Sequence, residues 1–410
     1  MTAAIVEDVC RREAPHVLGA LLRRFRDSSD FGRCEDAVQE ALLAAAVQWP
    51  ADGLPDNPRG WLIRVAHRRF VDVIRSDRAR TDREDVVLAR VPADARQATA
   101  ADATSFDVDE SVNLLLLCCH PAVPPPAQVA LTLRAVGGLS TAQIAAAFLV
   151  PTATMTQRIS RAKVALLTAG ARFADLPAAE LPGRLIAVRQ VLYLVFNEGY
   201  ATSGGDRLVD VSLTGEAIRL TRMLRRQVPA DTEIAGLLAL MVLTDARTAA
   251  RTDASGDLIP LAQQDRSRWD RDLVAEGVAI LQDVLPRGSV GGFQLQAAIA
   301  AVHAEAATAG ETDWRQIVVL YRMLDRVAPG SMVTLNMAVA VGMADGPAAG
   351  LALVEPLLAL PTMLRHHRTH AVRAHLLEMA GRRSEASAAF STAARLTTSV
   401  PEQRYLNARV

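Results

Sequence analysis

Apolar residues recur along this chain at helical spacing, and the strict alternation of a half-buried strand is scarce. The pattern predicts an all-α protein. A first helix is expected over 5–27 and a second from Gly32 to Trp49, with Val38, Leu42 and Ala45 on one face. Turn residues fill 50–58, and a helix then runs from Arg59 to Arg80. Its apolar stripe is Leu62, Ala66, Phe70 and Val73, flanked by Trp61, which is expected to pack internally, and Val65. Residues 111–136 predict two helices split by Pro124–Pro126.

The stretch from Ser140 to Lys163 has the most specific local grammar. Ser140 and Gln143 form a capping box, and Gly137-Gly138 stops the helix before it. Pro151 ends the short helix, because proline cannot continue it and pushes its predecessor out of the helical region. The next helix places Met155, Ile159, Ala162 and Leu166 on one face. The other face carries Thr152, Thr154, Thr156, Gln157, Arg158, Ser160, Arg161 and Lys163. A short helix, a tight turn and a helix with a polar, basic outer face make the pattern of a helix-turn-helix entering the DNA major groove. Taken alone, an ordinary helical corner with a solvated face explains it equally well.

Charge changes the picture locally, not globally. The 410 residues carry 45 basic and 45 acidic side chains, so no overall field recruits nucleic acid. Between Arg59 and Arg80, however, Arg59, Arg64, Arg68, Arg69, Arg75, Arg78 and Arg80 stand against only Asp72 and Asp77. From Thr81 to Glu110 the sign reverses, with eight acidic residues against Arg83, Arg90 and Arg96. A basic helix, an acidic tether and a basic recognition-like helix suit two DNA-contacting modules. Lys163 is the only lysine. Cys10, Cys34, Cys118 and Cys119 do not make a disulfide framework, and Cys118-Cys119-His120 lacks zinc-site spacing. No apolar run is long enough to span a bilayer and the N-terminus has no leader pattern, so a cytoplasmic location is expected.

Three motifs together resemble bacterial extracytoplasmic-function sigma factors of the sigma-70 family. GRCEDAVQEALLAA resembles the start of region 2; NPRGWLIRVAHRRFVDVIRSDRAR resembles the next helix of that region, matched by Pro58, Trp61, Leu62, Asp72 and Arg75. TATMTQRISRAK resembles the region 4 recognition helix, matched by Thr154, Met155, Arg158, Ile159, Arg161, Ala162 and Lys163. Arg68 departs from the pattern, since many relatives carry Asn there. The resemblance implies region 2 over 1–80, an acidic flexible linker over 81–110 and region 4 over 111–174. It implies that Asp36, Gln39 and Glu40 dock on the clamp of the polymerase largest subunit, and that region 4 meets the beta flap. Arg64, His67, Arg68 and Arg75 would take the −10 element, where flipped bases and single-stranded backbone need a pocket and cations. The basic face from Thr152 to Lys163 would read the −35 element in duplex form. No catalytic residue, cofactor, metal or membrane contact is implied. The linker's acidity would mimic nucleic acid where the transcript exits.

Beyond Asp175 the chain turns to Ala/Leu/Val-rich helices, expected at Leu181–Asn197, Asp206–Arg226, Asp231–Arg247 and Arg266–Leu285. These form a helical extension over 175–292, followed by repeats over 293–410. The expected repeat pairs are 293–307 with 313–327, 331–343 with 347–359, and 366–380 with 384–396. Tyr321, Leu324 and Pro329 match the end of a tetratricopeptide (TPR) unit, and Gly381, Ala386, Phe390 and Ala393 match the second half of another. Stacked pairs would leave a concave groove for a protein or peptide. A subgroup of the family has such a TPR-like extension in place of a separate anti-sigma partner, which implies regulation in cis. Asn197, Glu198 and Tyr200 end an apolar helix, where Gly199 can cap, and are a candidate regulatory interface. His366, His367, His370 and His375 are read as a surface cluster and not a zinc site. Two other functions compete with the sigma reading. A stand-alone helix-turn-helix regulator with a TPR effector domain leaves 32–80 unexplained, and a metalloenzyme using the histidines leaves the whole N-terminal half unexplained.

Overall fold

The computed structural model describes residues 3–25, 31–85, 110–171, 173, 176, 179–202 and 204–410. Among these are nineteen α-helices and no strand. The expected all-α class is what the chain adopts. No described helix is long and apolar enough to cross a membrane. The chain divides into two compact units, one formed by Met1–Ala146 with Val150–Val191, the other by Ala147–Leu149 with Leu192–Val410.

The first unit opens with α1 (Ala3–Phe25), α2 (Phe31–Asp52) and α3 (Pro58–Asp85), which pack on one another. Val17, Leu21 and Leu22 of α1 meet Phe31, Cys34, Val38 and Ala41 of α2 and Leu62, Ala66 and Phe70 of α3 in one buried core. The rings of Phe25 and Phe70 lie 4.0 Å apart. Trp49 is buried with Trp61 edge-on at 5.3 Å, so Trp61 packs inward as expected. Three expectations need correction. Helix α2 runs through Pro50 to Asp52, because a proline in the last turn forfeits little of the ladder; Gly53, at φ +88°, then ends it. Val73 is 45% exposed, since the i+4 row from Leu62 through Ala66 and Phe70 continues at Ile74. Helix α3 also extends five residues past the expected end, into the proposed linker. The remaining linker, 86–109, lies outside the described residues.

Helices α4 (Glu110–Cys118), α5 (Pro125–Ala135), α6 (Thr141–Ala147) and α7 (Thr152–Thr168) follow. Pro125 occupies the first turn of α5, where its missing N–H costs nothing. All four cysteines are buried free thiols. The unit closes on the start of α8 (Leu181–Tyr200), where buried Arg184 donates to the Leu116 carbonyl at 3.2 Å and to Glu180 at 3.3 Å.

In the second unit, α9 (Val211–Gln227), α10 (Thr232–Asp245) and α11 (Arg271–Val284) each start at an aspartate cap. Asp210, Asp231 and Asp270 accept backbone N–H groups at 3.0 Å. These caps correct the expected starts of α9 and α11: the carboxylates at 210 and 270 set them later than Asp206 and Arg266. Helix α10 is buried nearly all round and packs against α9, α11 and α12 (Gly292–Glu305). The cap of α12 comes from a neighbour, for Glu233 of α10 accepts the N–H groups of Phe293 and Gln294, both at 3.0 Å. A Cβ on Gly291 would sit 2.2 Å from that carboxyl carbon, so a larger residue there would push the carboxylate out of its capping position.

Packing continues through α13 (Trp314–Val327), α14 (Ser331–Asp345), α15 (Pro347–Val354), α16 (Pro361–Leu364), α17 (His367–Met379), α18 (Arg383–Leu396) and α19 (Val400–Asn407). Helix α15 is shorter than expected, because the chain tightens into a 3-10 turn over Glu355–Ala359 at Pro356. Gly350 lets α15 approach α14 closely, since a Cβ there would meet the Ala338 carbonyl at 2.6 Å. Ala386, Phe390 and Ala393 are buried and Gly381 turns at φ +74°.

Candidate nucleic-acid interface

The helix-turn-helix stretch forms as its grammar dictates. The Ser140 N–H meets Gln143 Oε1 at 2.8 Å, and the Gln143 N–H meets Ser140 Oγ at 3.1 Å. The turn bends through Leu149, the one described non-glycine residue with positive φ (50°). Met155, Ile159, Ala162 and Leu166 of α7 are all buried. Thr152, Thr154, Thr156, Gln157, Ser160 and Arg161 are exposed and Arg158 is half-buried.

Lys163 departs from that free face. Its ammonium pairs with the carboxylate of Glu35, which is 5% exposed. The other Glu35 oxygen takes Arg134 Nε at 2.6 Å, and Arg134 also donates to the Leu139 carbonyl at 3.2 Å. One buried acid on α2 thus clasps a cation from α5 and another from α7. A second tie joins Ser111 Oγ of α4 and His16 Nδ1 of α1 at 3.4 Å. Glu35 was not among the expected site residues. Its sequence signal is an acid on the apolar row of Phe31, Cys34 and Val38.

Of the residues expected to meet the polymerase, Asp36 and Glu40 are exposed, while Gln39 is half-buried. Gln39 lines a cleft of about 200 Å³ with Glu35, Arg134 and Gln143. Of the residues expected at the −10 element, Arg64, Arg68 and Arg75 are exposed and share a helix face by their i, i+4, i+11 spacing. His67 is half-buried and stacks on Phe25, ring centroids 6.0 Å apart. Burial first, then the charge of Arg24, lowers its pKa and favours neutral imidazole. Arg59, at the head of the basic block, is occupied by Glu13 at 2.7 Å.

The expected regulatory interface does not stand free. The Tyr200 hydroxyl accepts from Arg247 at 3.0 Å, and the Arg251 guanidinium lies 3.6 Å from the ring centroid. Asn197 and Glu198 are half-buried. Gly199 is not a cap, because α8 continues through it; its role is close approach, a Cβ there falling 2.7 Å from Leu213 Cβ. The histidines are not a surface cluster either. His370 is buried with Nε2 2.7 Å from the Leu364 carbonyl, His367 pairs with Glu402 at 3.1 Å, and His375 meets the Tyr405 hydroxyl at 3.2 Å. His366 stacks on His367 with ring centroids 5.2 Å apart, while His370 and His375 turn to other neighbours.

Known proteins agree with this geometry. Residues 9–80 match the family described as Sigma-70 region 2, and residues 113–166 match Sigma-70, region 4. Residues 184–285 match a family of unknown function, DUF6596. An uncharacterized protein of Rhizobium meliloti (strain 1021) is 41% identical over 394 residues, 96% of this chain and 92% of that protein. The probable ECF RNA polymerase sigma factor SigI of Mycobacterium tuberculosis (strain ATCC 25618 / H37Rv) is 34% identical over 142 residues, 34% of this chain and 47% of its own length. No solved structure matches. With both DNA-binding regions matched in order and a helical extension beyond them, the chain belongs to the sigma-70 family as a factor of the extracytoplasmic-function type.

Proposed function

We propose that this sigma factor directs core RNA polymerase to its promoters from the cytoplasm and that its C-terminal helical extension regulates that activity in cis. The observation that carries the reading is the exposed Thr152–Arg161 face of α7 above a fully buried Met155, Ile159, Ala162 and Leu166 stripe. Rigid support below and free donors above suit direct reading of base edges at a −35 element. Arg64, Arg68 and Arg75 on the outer face of α3 supply the cations for a −10 element, while Asp36 and Glu40 offer acidic contacts to the polymerase clamp. Gln39 would join them only once its cleft opens, and the region 4 side would meet the beta flap. The match to region 2 accounts for the residues that a stand-alone helix-turn-helix regulator leaves unexplained. The stacked helix pairs beyond α11 are read as TPR-like, with a surface for a protein or peptide.

The test is reconstitution. The full chain is mixed with core polymerase, and complex formation and initiation from its own promoter are measured. A stable, promoter-selective complex is expected, and Arg161→Ala should weaken promoter binding by about 1–3 kcal/mol. Failure to bind core enzyme would overturn the sigma reading. Transcription that is unchanged when the extension is removed would overturn the regulatory one.

A further inference from the structure

Within the second unit, α8, α10, α12, α13 and α14 line a cavity of about 460 Å³ that is open on one side, a size typical of small-molecule sites. One side is apolar, formed by Leu240, Ile299 and Leu324, with the rings of Tyr193 and Tyr321 beside them. The other side is polar and carries Arg247, His303, Gln296 and Asn336.

The polar side lacks acids. Arg247 donates to the Tyr200 hydroxyl at 3.0 Å and lies 5.8 Å from the Trp269 ring. Behind it, Arg266 is 6% exposed and donates to the carbonyls of His303 and Ala306 at 2.7 and 2.6 Å, capping the end of α12. Arg251, also 6% exposed, spends its charge on the Tyr200 carbonyl and ring. Among the described residues, no carboxylate lies within ion-pairing distance of any of these three guanidinium groups. Glu402 acts on Arg251 and Glu311 on Arg266 only from beyond contact distance, so carbonyls and aromatic faces carry much of the offset to their burial. His303 lines the cavity, and its Nδ1 atom is buried with no hydrogen-bond partner. Burial, then the charges of Arg247 and Arg266, hold the pKa of His303 down at about 4. The ring is therefore neutral at pH 7, and an anion beside it would restore its basicity.

We propose that this cavity is a binding site for a small organic carboxylate with an aromatic or aliphatic body. The carboxylate pairs with the Arg247 guanidinium and accepts from His303, while Gln296 and Asn336 supply further polar contacts. The body lies between Tyr193 and Tyr321 over Ile299 and Leu324. Arginine suits this task because its planar donors match both carboxylate oxygens. The site gives the regulatory reading a chemical input and rests on that reading only for its consequence, since binding is measured without polymerase or promoter.

The test uses the full chain with benzoate, indole-3-acetate and octanoate at millimolar concentration, each against its neutral amide, by calorimetry and thermal unfolding. At least one acid is expected to bind and raise the melting temperature, its amide at least tenfold more weakly. Arg247→Gln should lower affinity for the acid at least tenfold. Ala300→Phe, which fills the cavity without touching its charge, should abolish binding, with folding checked by circular dichroism. No binding by any of the three acids, equal binding of acid and amide, or undiminished binding by folded R247Q would overturn the site. Binding of a peptide C-terminus with exclusion of all three acids would also overturn it in favour of a macromolecular partner. Failure in transcription assays leaves these binding results untouched.

Discussion

At the scale of single residues, Glu35 decides most. It is buried, yet its two oxygens meet Arg134 and Lys163, whose side chains are 16% and 24% exposed. Removing the charge leaves both cations unpaired. Glu35→Gln should therefore destabilise the full chain by about 2 kcal/mol in urea unfolding, below the ~3–5 kcal/mol of a fully buried pair because the partners are partly wet. Glu13 makes a separate, pH-dependent contribution. Burial alone would raise its pKa, but the hydrogen bond and charge of Arg59 outweigh it and the net value lies below the usual 4.5. The sign follows: its contribution is complete above pH 4.5 and is lost as pH falls below that through the folded-state value. Arg59→Ala should flatten the acid limb of a stability profile and leave its slope near pH 7 unchanged. Both residues show where sequence reading stops. The inward stripe of α7 and the capping box at Ser140 are local and were legible. The occupant of Lys163 is an acid 128 positions earlier (163 − 35), and periodicity on one helix does not say which distant helix faces it.

At the scale of elements, helix starts were governed by acids that the apolar pattern does not weigh. Asp210 and Asp270 moved two helix starts, and Glu233 caps a helix on another segment altogether. Glu233→Ala should strip two N–H groups of α12 of their acceptor and cost about 1–2 kcal/mol, read by thermal unfolding. Crossing points depend on the absence of a side chain. At Gly350 the nearest neighbour is a main-chain carbonyl, which cannot yield as a flexible side chain would. Gly350→Ala should separate α14 from α15 and cost about 1–3 kcal/mol. The repeat period was visible in Tyr321 and Phe390, yet the middle pair broke at Pro356, where the main chain tightens instead of continuing its turn.

At the scale of the whole molecule, the division near Val191 matters more than the composition shift at Asp175. Arg184 belongs to the first unit and donates to the α4 carbonyl of Leu116. A piece ending at 174 lacks it, so residues 1–191 should melt above residues 1–174, the lost charged hydrogen bond being worth about 1.5–3 kcal/mol. Order and identity of the two DNA-binding regions were readable from three motifs, whereas their direct packing through Glu35 was not. That packing has a practical corollary. An endoproteinase that cleaves only after lysine has a single target in all 410 residues, the bond following Lys163. That bond lies inside α7, so a cut requires local unwinding of the helix together with release of the ammonium from Glu35, and the rate at which the chain falls into two fragments reports that combined opening. Core polymerase, promoter DNA or a small carboxylate can each be scored by whether it speeds or slows that one cut.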